Sequence, residues 1–108
     1  MSDFERLQAA LDALREYYKE NGSDFVLRPV LRDLGFGGEW LYQTLIRYGL
    51  AKHQSKSLGG GWRIDTHTSL HSAMLYRAIS KEPEDIRNEL YDYVKGLEAA
   101  AKKDADSQ

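Results

Sequence analysis

Gly35-Phe36-Gly37-Gly38-Glu39-Trp40-Leu41-Tyr42-Gln43-Thr44-Leu45-Ile46-Arg47-Tyr48-Gly49 is the stretch on which the architecture of this chain turns. Three glycines around one apolar anchor, Phe36, read as a tight turn, because glycine adopts backbone conformations that a Cβ closes to other residues. From Glu39 onward the pattern becomes that of a short helix, Glu39 to Tyr48, which Gly49 closes. On a helical wheel of about 100° per residue, Leu41, Tyr42, Leu45, Ile46 and Tyr48 share one arc. Glu39, Trp40, Gln43, Thr44 and Arg47 fall on the other.

Upstream of this stretch, Pro29 has no N–H to donate and so suits the first turn of another helix. That helix is expected to bury Val30, Leu31 and Leu34 and to end at Gly35. Two short helices joined by such a turn form a helix-turn-helix. The chain opens on a longer helix: Ser2 and Glu5 have capping-box spacing, and Phe4, Leu7, Leu11, Leu14 and Tyr18 recur at steps of three and four. Asn21-Gly22 stops it, and Asp24-Phe25-Val26 reads as a short extended segment.

Downstream, Trp62 and Ile64 alternate with Arg63 and Asp65, the period of a half-buried strand. With Leu50-Ala51-Lys52-His53 before it and Gly59-Gly60-Gly61 as a loose tip, this makes a β-hairpin. Thr66 or Thr68 is placed to cap a fourth helix with Leu70, Met74 and Ile79 inward, and Ser80-Lys81-Glu82-Pro83 breaks it. The last helix carries Ile86, Leu90, Tyr93, Leu97 and Ala100 at alternating steps of four and three, close to a heptad seam.

With 108 residues there is room for one modest core. The absence of cysteine excludes disulfides, thiolate metal sites and cysteine nucleophiles. Neither a signal peptide nor an apolar run of the ~20 residues a bilayer span needs is present, so a cytoplasmic location is expected, nucleoid-associated when bound to DNA. The net charge of −2 conceals a segregation. Residues 1–38 carry five basic and seven acidic side chains, and residues 66–108 carry six and eight. Between Trp40 and Ile64 lie Arg47, Lys52, Lys56 and Arg63, with no acid. Such a run is an electrostatic footprint for a polyanion.

The order helix, strand, helix, turn, helix, two-stranded wing, helix resembles the winged helix-turn-helix superfamily of transcription regulators. Leu41 to Ala51 looks like the end of a recognition helix running into the first wing strand. Gly61-Trp62-Arg63-Ile64-Asp65-Thr66 is similar to the return strand of PadR-like regulators, and less closely of MarR-like ones. The third helix is a few residues shorter than the family pattern, and Gly37-Gly38 replace its usual Ser or Thr cap.

The expected fold is therefore mainly α with a small β-wing: a winged helix-turn-helix over 1–66, C-terminal helices over 67–103 that pack on it and dimerise, and a frayed tail over 104–108. The expected function is that of a homodimeric duplex-DNA-binding repressor, with helix 39–48 in the major groove and wing 51–64 on the backbone. Trp40, Gln43, Thr44 and Arg47 would face the groove, where glutamine can pair with adenine and arginine with guanine. Trp40 can equally fold back over the wing as core. Lys52, Lys56 and Arg63 are the expected phosphate contacts, and Ile86, Leu90, Tyr93 and Leu97 the dimer interface.

No cofactor, membrane or catalytic role is expected. His67 and His71 are four apart but lack a third metal ligand, and neither glycine cluster fits a P-loop or a dinucleotide fingerprint. Two alternatives stay open: a winged-helix adaptor that meets a protein through Trp40 or the last helix, and a DNA-binding factor in plasmid partition or viral genome control.

Overall fold

A computed structural model describes residues 2–106, with side chains to residue 100. The described chain is mainly helical with one small antiparallel sheet, in the order α1 (Asp3–Asn21), α2 (Leu27–Asp33), α3 (Glu39–Arg47), β1 (Ala51–His53), β2 (Trp62–Ile64), α4 (Leu70–Ile79) and α5 (Glu84–Asp106). It divides into two compact units, residues 1–68 and 69–108.

In the first unit, the Ser2 hydroxyl accepts from the Glu5 N–H and donates to the Glu5 carboxylate, closing the first turn of α1. The helix buries Leu7, Ala10, Leu11 and Leu14. Phe25, Leu27, Leu31, Leu41, Leu45, Leu50, Ala51 and Ile64 complete a leucine-rich core. Val30 and Leu34, expected inside, are half-buried, because Leu27 takes the inward position one turn before Leu31.

The turn after α2 satisfies its last carbonyls in the Schellman manner. The Gly35 N–H donates to the Arg32 carbonyl at 3.0 Å and the Phe36 N–H to Leu31 at 2.8 Å, with Gly35 at φ +92°. The Arg6 guanidinium reaches across from α1 to the Gly37 carbonyl at 3.0 Å, tying this turn to the first helix.

The expected extended segment at Asp24-Phe25-Val26 does not become a strand. Phe25 N–H folds back onto the Ser23 carbonyl, and that same carbonyl accepts from Trp62 N–H at 2.9 Å. A single backbone bond thus stands where a third strand was expected. The hairpin pairs Ala51 with Ile64, Lys52 with Arg63 and His53 with Trp62. Its tip is more ordered than a loose glycine loop: Lys56–Leu58 form a 3₁₀ turn, and the Gly60 N–H returns to the Ser55 carbonyl at 2.9 Å.

Neither Thr66 nor Thr68, the residues expected to cap the fourth helix, does so, and Thr68 is held by Asp65 instead. Asp65 accepts from the N–H groups of His67 at 2.9 Å and Thr68 at 2.7 Å, and from the Thr68 hydroxyl at 2.9 Å. This side-chain turn binds residues 67–68 to the hairpin's end, so the first unit reaches past residue 66. It also leaves His67 outside α4, not on a shared helix face with His71. The cap of α4 is Ser69, whose hydroxyl accepts from Ser72 N–H at 3.1 Å.

In the second unit α4 buries Leu70, Ser72, Ala73 and Ile79, with Met74 half-buried, and α5 buries Val94. The Tyr76 hydroxyl donates to Glu98 at 3.1 Å, and its ring meets Tyr91 at 5.7 Å. Ile86, Tyr93 and Leu97 stand exposed on α5, and Leu90 is half-buried. The helix continues through Asp106, where fraying was expected from residue 104; the rest of that tail, 107–108, lies outside the described residues. Among the described residues no helix is long and apolar enough to cross a membrane.

Candidate nucleic-acid interface

Helix α3 packs against α1, α2 and β1, and β2 packs against α1. α3 buries Leu41, Thr44 and Leu45. Thr44, expected to face a groove, is only 4% exposed. At about 100° per residue its wheel position is the edge of the polar arc, about 40° from Tyr48 and about 60° from Leu41, and at that edge the side chain is enclosed. The expected contacts Trp40, Gln43 and Arg47 do reach the surface. Trp40 is 48% exposed, so it is not folded away as core.

The first turn of α3 carries a network that spacing alone did not reveal. Arg28, from α2, makes a two-pronged ion pair with Glu39, one prong being Nη2 to Oε1 at 2.9 Å. The Gln43 amide donates to the same Oε1 at 2.8 Å. The guanidinium also stacks 3.8 Å from the centroid of the Tyr42 ring, a cation–π contact. The Arg28 hydrogen bond, reinforced by Gln43, holds the Glu39 carboxyl at about 2. Tyr42 then meets Trp62 edge-on at 6.0 Å, and Trp62 meets His53 at 5.2 Å. A continuous line of planar groups thus connects α2, α3 and the hairpin.

Strand alternation puts His53 and Trp62 on one face of the hairpin and Lys52 and Arg63 on the other. The ladder bonds Gln54 N–H to Gly61 O and Asp65 N–H to Leu50 O, both at 2.8–2.9 Å, make Lys52–Arg63 a hydrogen-bonded pair. In such pairs the Cα atoms are about 5.5 Å apart. Both side chains are exposed and line a cleft of about 350 Å³ with Tyr18, Gly49, Thr66 and His67. Lys56 sits at the hairpin tip beside Leu58, which is 75% exposed.

The expected contacts therefore fall into two groups. Trp40, Gln43 and Arg47 belong to α3, whereas Lys52 and Arg63 share a cleft on the hairpin face turned from Trp62. The acids that border the acid-free run are both neutralised by arginines from earlier helices. Glu39 is paired with Arg28, and Asp65 with Arg15, whose Nη2 lies 3.5 Å from Oδ1. Arg15 also donates to the carbonyls of Asp65 at 2.7 Å and Thr68 at 2.6 Å. Burial alone would raise the Asp65 carboxyl; its hydrogen bonds from Thr68 and His67, with Arg15 beside it, outweigh burial and hold it below the ordinary value.

No protein-family model matches this chain, and comparisons with curated proteins and with solved structures returned no match.

Proposed function

We propose that residues 1–68 form a winged helix-turn-helix domain and that the chain binds duplex DNA as a homodimeric transcriptional repressor. The observation that carries this is electrostatic. The surface from α3 to the hairpin presents Arg47, Lys52, Lys56 and Arg63, while the two carboxylates at its borders are each spent on an arginine from outside it. α3 enters the major groove with Gln43 and Arg47 toward base edges and Trp40 toward the sugar-phosphate wall. The hairpin cations meet phosphates. A second copy joins through the Ile86–Leu90–Tyr93–Leu97 stripe, exposed at Ile86, Tyr93 and Leu97, whose steps of four, three and four suit helix pairing.

Fluorescence anisotropy with duplexes selected from a random pool tests this. Affinity should fall with salt by about 0.9 log units per log unit for each phosphate contact. Arg47→Ala and Lys56→Ala should weaken binding, whereas Thr44→Val should not, since Thr44 is enclosed. Absence of binding at low salt, or binding indifferent to the first two substitutions, refutes the function.

The Arg28–Glu39–Gln43 network supports a second reading, that of a protein-interaction module. It engages the Gln43 amide before any base arrives and keeps an ionised carboxylate on the α3 surface. Recovery of one stable protein partner through exposed Trp40, with no duplex bound at low salt, would favour it.

A further inference from the structure

The Lys52–Arg63 cleft has features that surface exposure does not explain. Like charges directly opposed across a ladder destabilise a sheet, and here a two-stranded hairpin with three residues per strand carries such a pair at its centre. Among the described residues neither side chain has an ion pair or side-chain hydrogen bond to offset this. The neighbours that line the same cleft bring further donors: the Tyr18 phenol, the Thr66 hydroxyl and the His67 ring. The one carboxylate at its edge, Asp65, already accepts from two N–H groups, one hydroxyl and Arg15. The cleft thus gathers two free cations and three polar donors around a volume of about 350 Å³ with its only acid satisfied.

We propose that this cleft is a binding site for one phosphate group, which Lys52 and Arg63 clamp from opposite strands. Arginine supplies a planar fork for two phosphate oxygens and lysine a point charge for a third. The mutual repulsion of the pair is relieved only when the anion is present, so binding should also stiffen the hairpin. With a DNA backbone as the source the site rests on the proposed function; its residues lie on the hairpin face turned from Trp62, so its response can be read apart from that of α3.

The phosphate can come from a DNA backbone or from a small phosphomonoester, and two titrations of the full chain separate these. Backbone amide spectra are followed with inorganic phosphate at constant ionic strength, and in parallel with a short duplex. Saturable shifts at Lys52, Arg63, Thr66 and His67 with free phosphate are expected. Lys52→Gln or Arg63→Gln should each weaken that binding at least about tenfold, the loss of a charge-assisted hydrogen bond. Lys81→Gln, an exposed lysine elsewhere, should leave it unchanged. Shifts at the same four residues with duplex assign the backbone as source; shifts with free phosphate alone assign a small phosphorylated ligand. No saturable shift at these residues with either probe, or shifts that persist in both glutamine variants, overturns the site. Duplex binding with no response in the cleft overturns the site while leaving the DNA-binding function standing.

Discussion

Replacing Gly61 with alanine places a methyl carbon 1.9 Å from the Ser23 carbonyl oxygen and 2.8 Å from its carbon, distances no real Cβ adopts. Gly61 also has φ +76°, where an L side chain is disfavoured. The left-handed conformation costs about 1–2 kcal/mol for a residue with a Cβ. To escape the clash the hairpin must move from Ser23, which breaks the 2.9 Å bond from Trp62 N–H to that carbonyl and adds about 0.5–1.5 kcal/mol. The sum is about 2–3 kcal/mol against the first unit. Gly60 provides the comparison, since it has φ +69° but nothing within 4 Å of a built Cβ. Gly60→Ala should therefore cost only the conformational share. In thermal denaturation a domain of this size loses about 4–8 °C per kcal/mol, so the two variants should separate clearly. Trp62 indole and Tyr42 ring resonances should shift in Gly61→Ala and stay in place in Gly60→Ala. Equal melting temperatures for the two variants would refute the claim that close approach to Ser23, and not turn conformation, fixes the hairpin.

Glu39 is ionised far below the ordinary carboxylate range, so Arg28→Ala should return its titration, followed by carboxyl carbon NMR, from about 2 toward 4.5. Because the folded value is the lower one, the pair's stabilisation is present above pH 4.5 and is lost as pH falls from there through about 2. Arg15→Ala removes two hydrogen bonds to carbonyls of the hairpin's exit and should cost about 1.5–3 kcal/mol in urea denaturation, with the Asp65 carboxyl rising as its cation is lost. Its depressed value has the same sign: the stability it lends is held at neutral pH and lost in acid. Tyr93→Ser with Leu97→Ser should convert a dimer to a monomer in light scattering while leaving helix content unchanged, since both residues are exposed on α5.

The helices of the first unit were legible because their ends carry chemistry that acts locally. Ser2 and Glu5 announce the start of α1, and Gly35, Gly38 and Gly49 bracket α2 and α3 by conformations few other residues share. The strand Trp62–Ile64 followed from alternation, and Ala51–His53 from its place before the glycine tip. What escaped depends on partners distant in the chain. Arg28 meets Glu39 across 11 residues and Arg15 meets Asp65 across 50, and neither spacing has a periodic signature. Thr44 was misplaced because it stands at the edge of the polar arc, where the wheel angle does not decide between surface and core. Thr66 and Thr68 looked like caps for α4, but Asp65 competes for the N–H groups of residues 67 and 68 and moves the helix start to Ser69.

The Lys52–Arg63 pair has a further consequence, for how copies of this chain avoid each other. A two-stranded hairpin offers open edges that can template pairing with another strand. On β2 the outward Trp62 N–H is already taken by the Ser23 carbonyl, which closes that edge to an incoming strand at its first position. A second copy that approached the face carrying the two opposed positive charges would bring two more. If the pair holds an anion as proposed, it would both discourage self-association and receive the anion, and the two roles would oppose each other. A polyanion that neutralised the cations would lift that guard, so neighbouring copies would crowd together most easily where they were already bound.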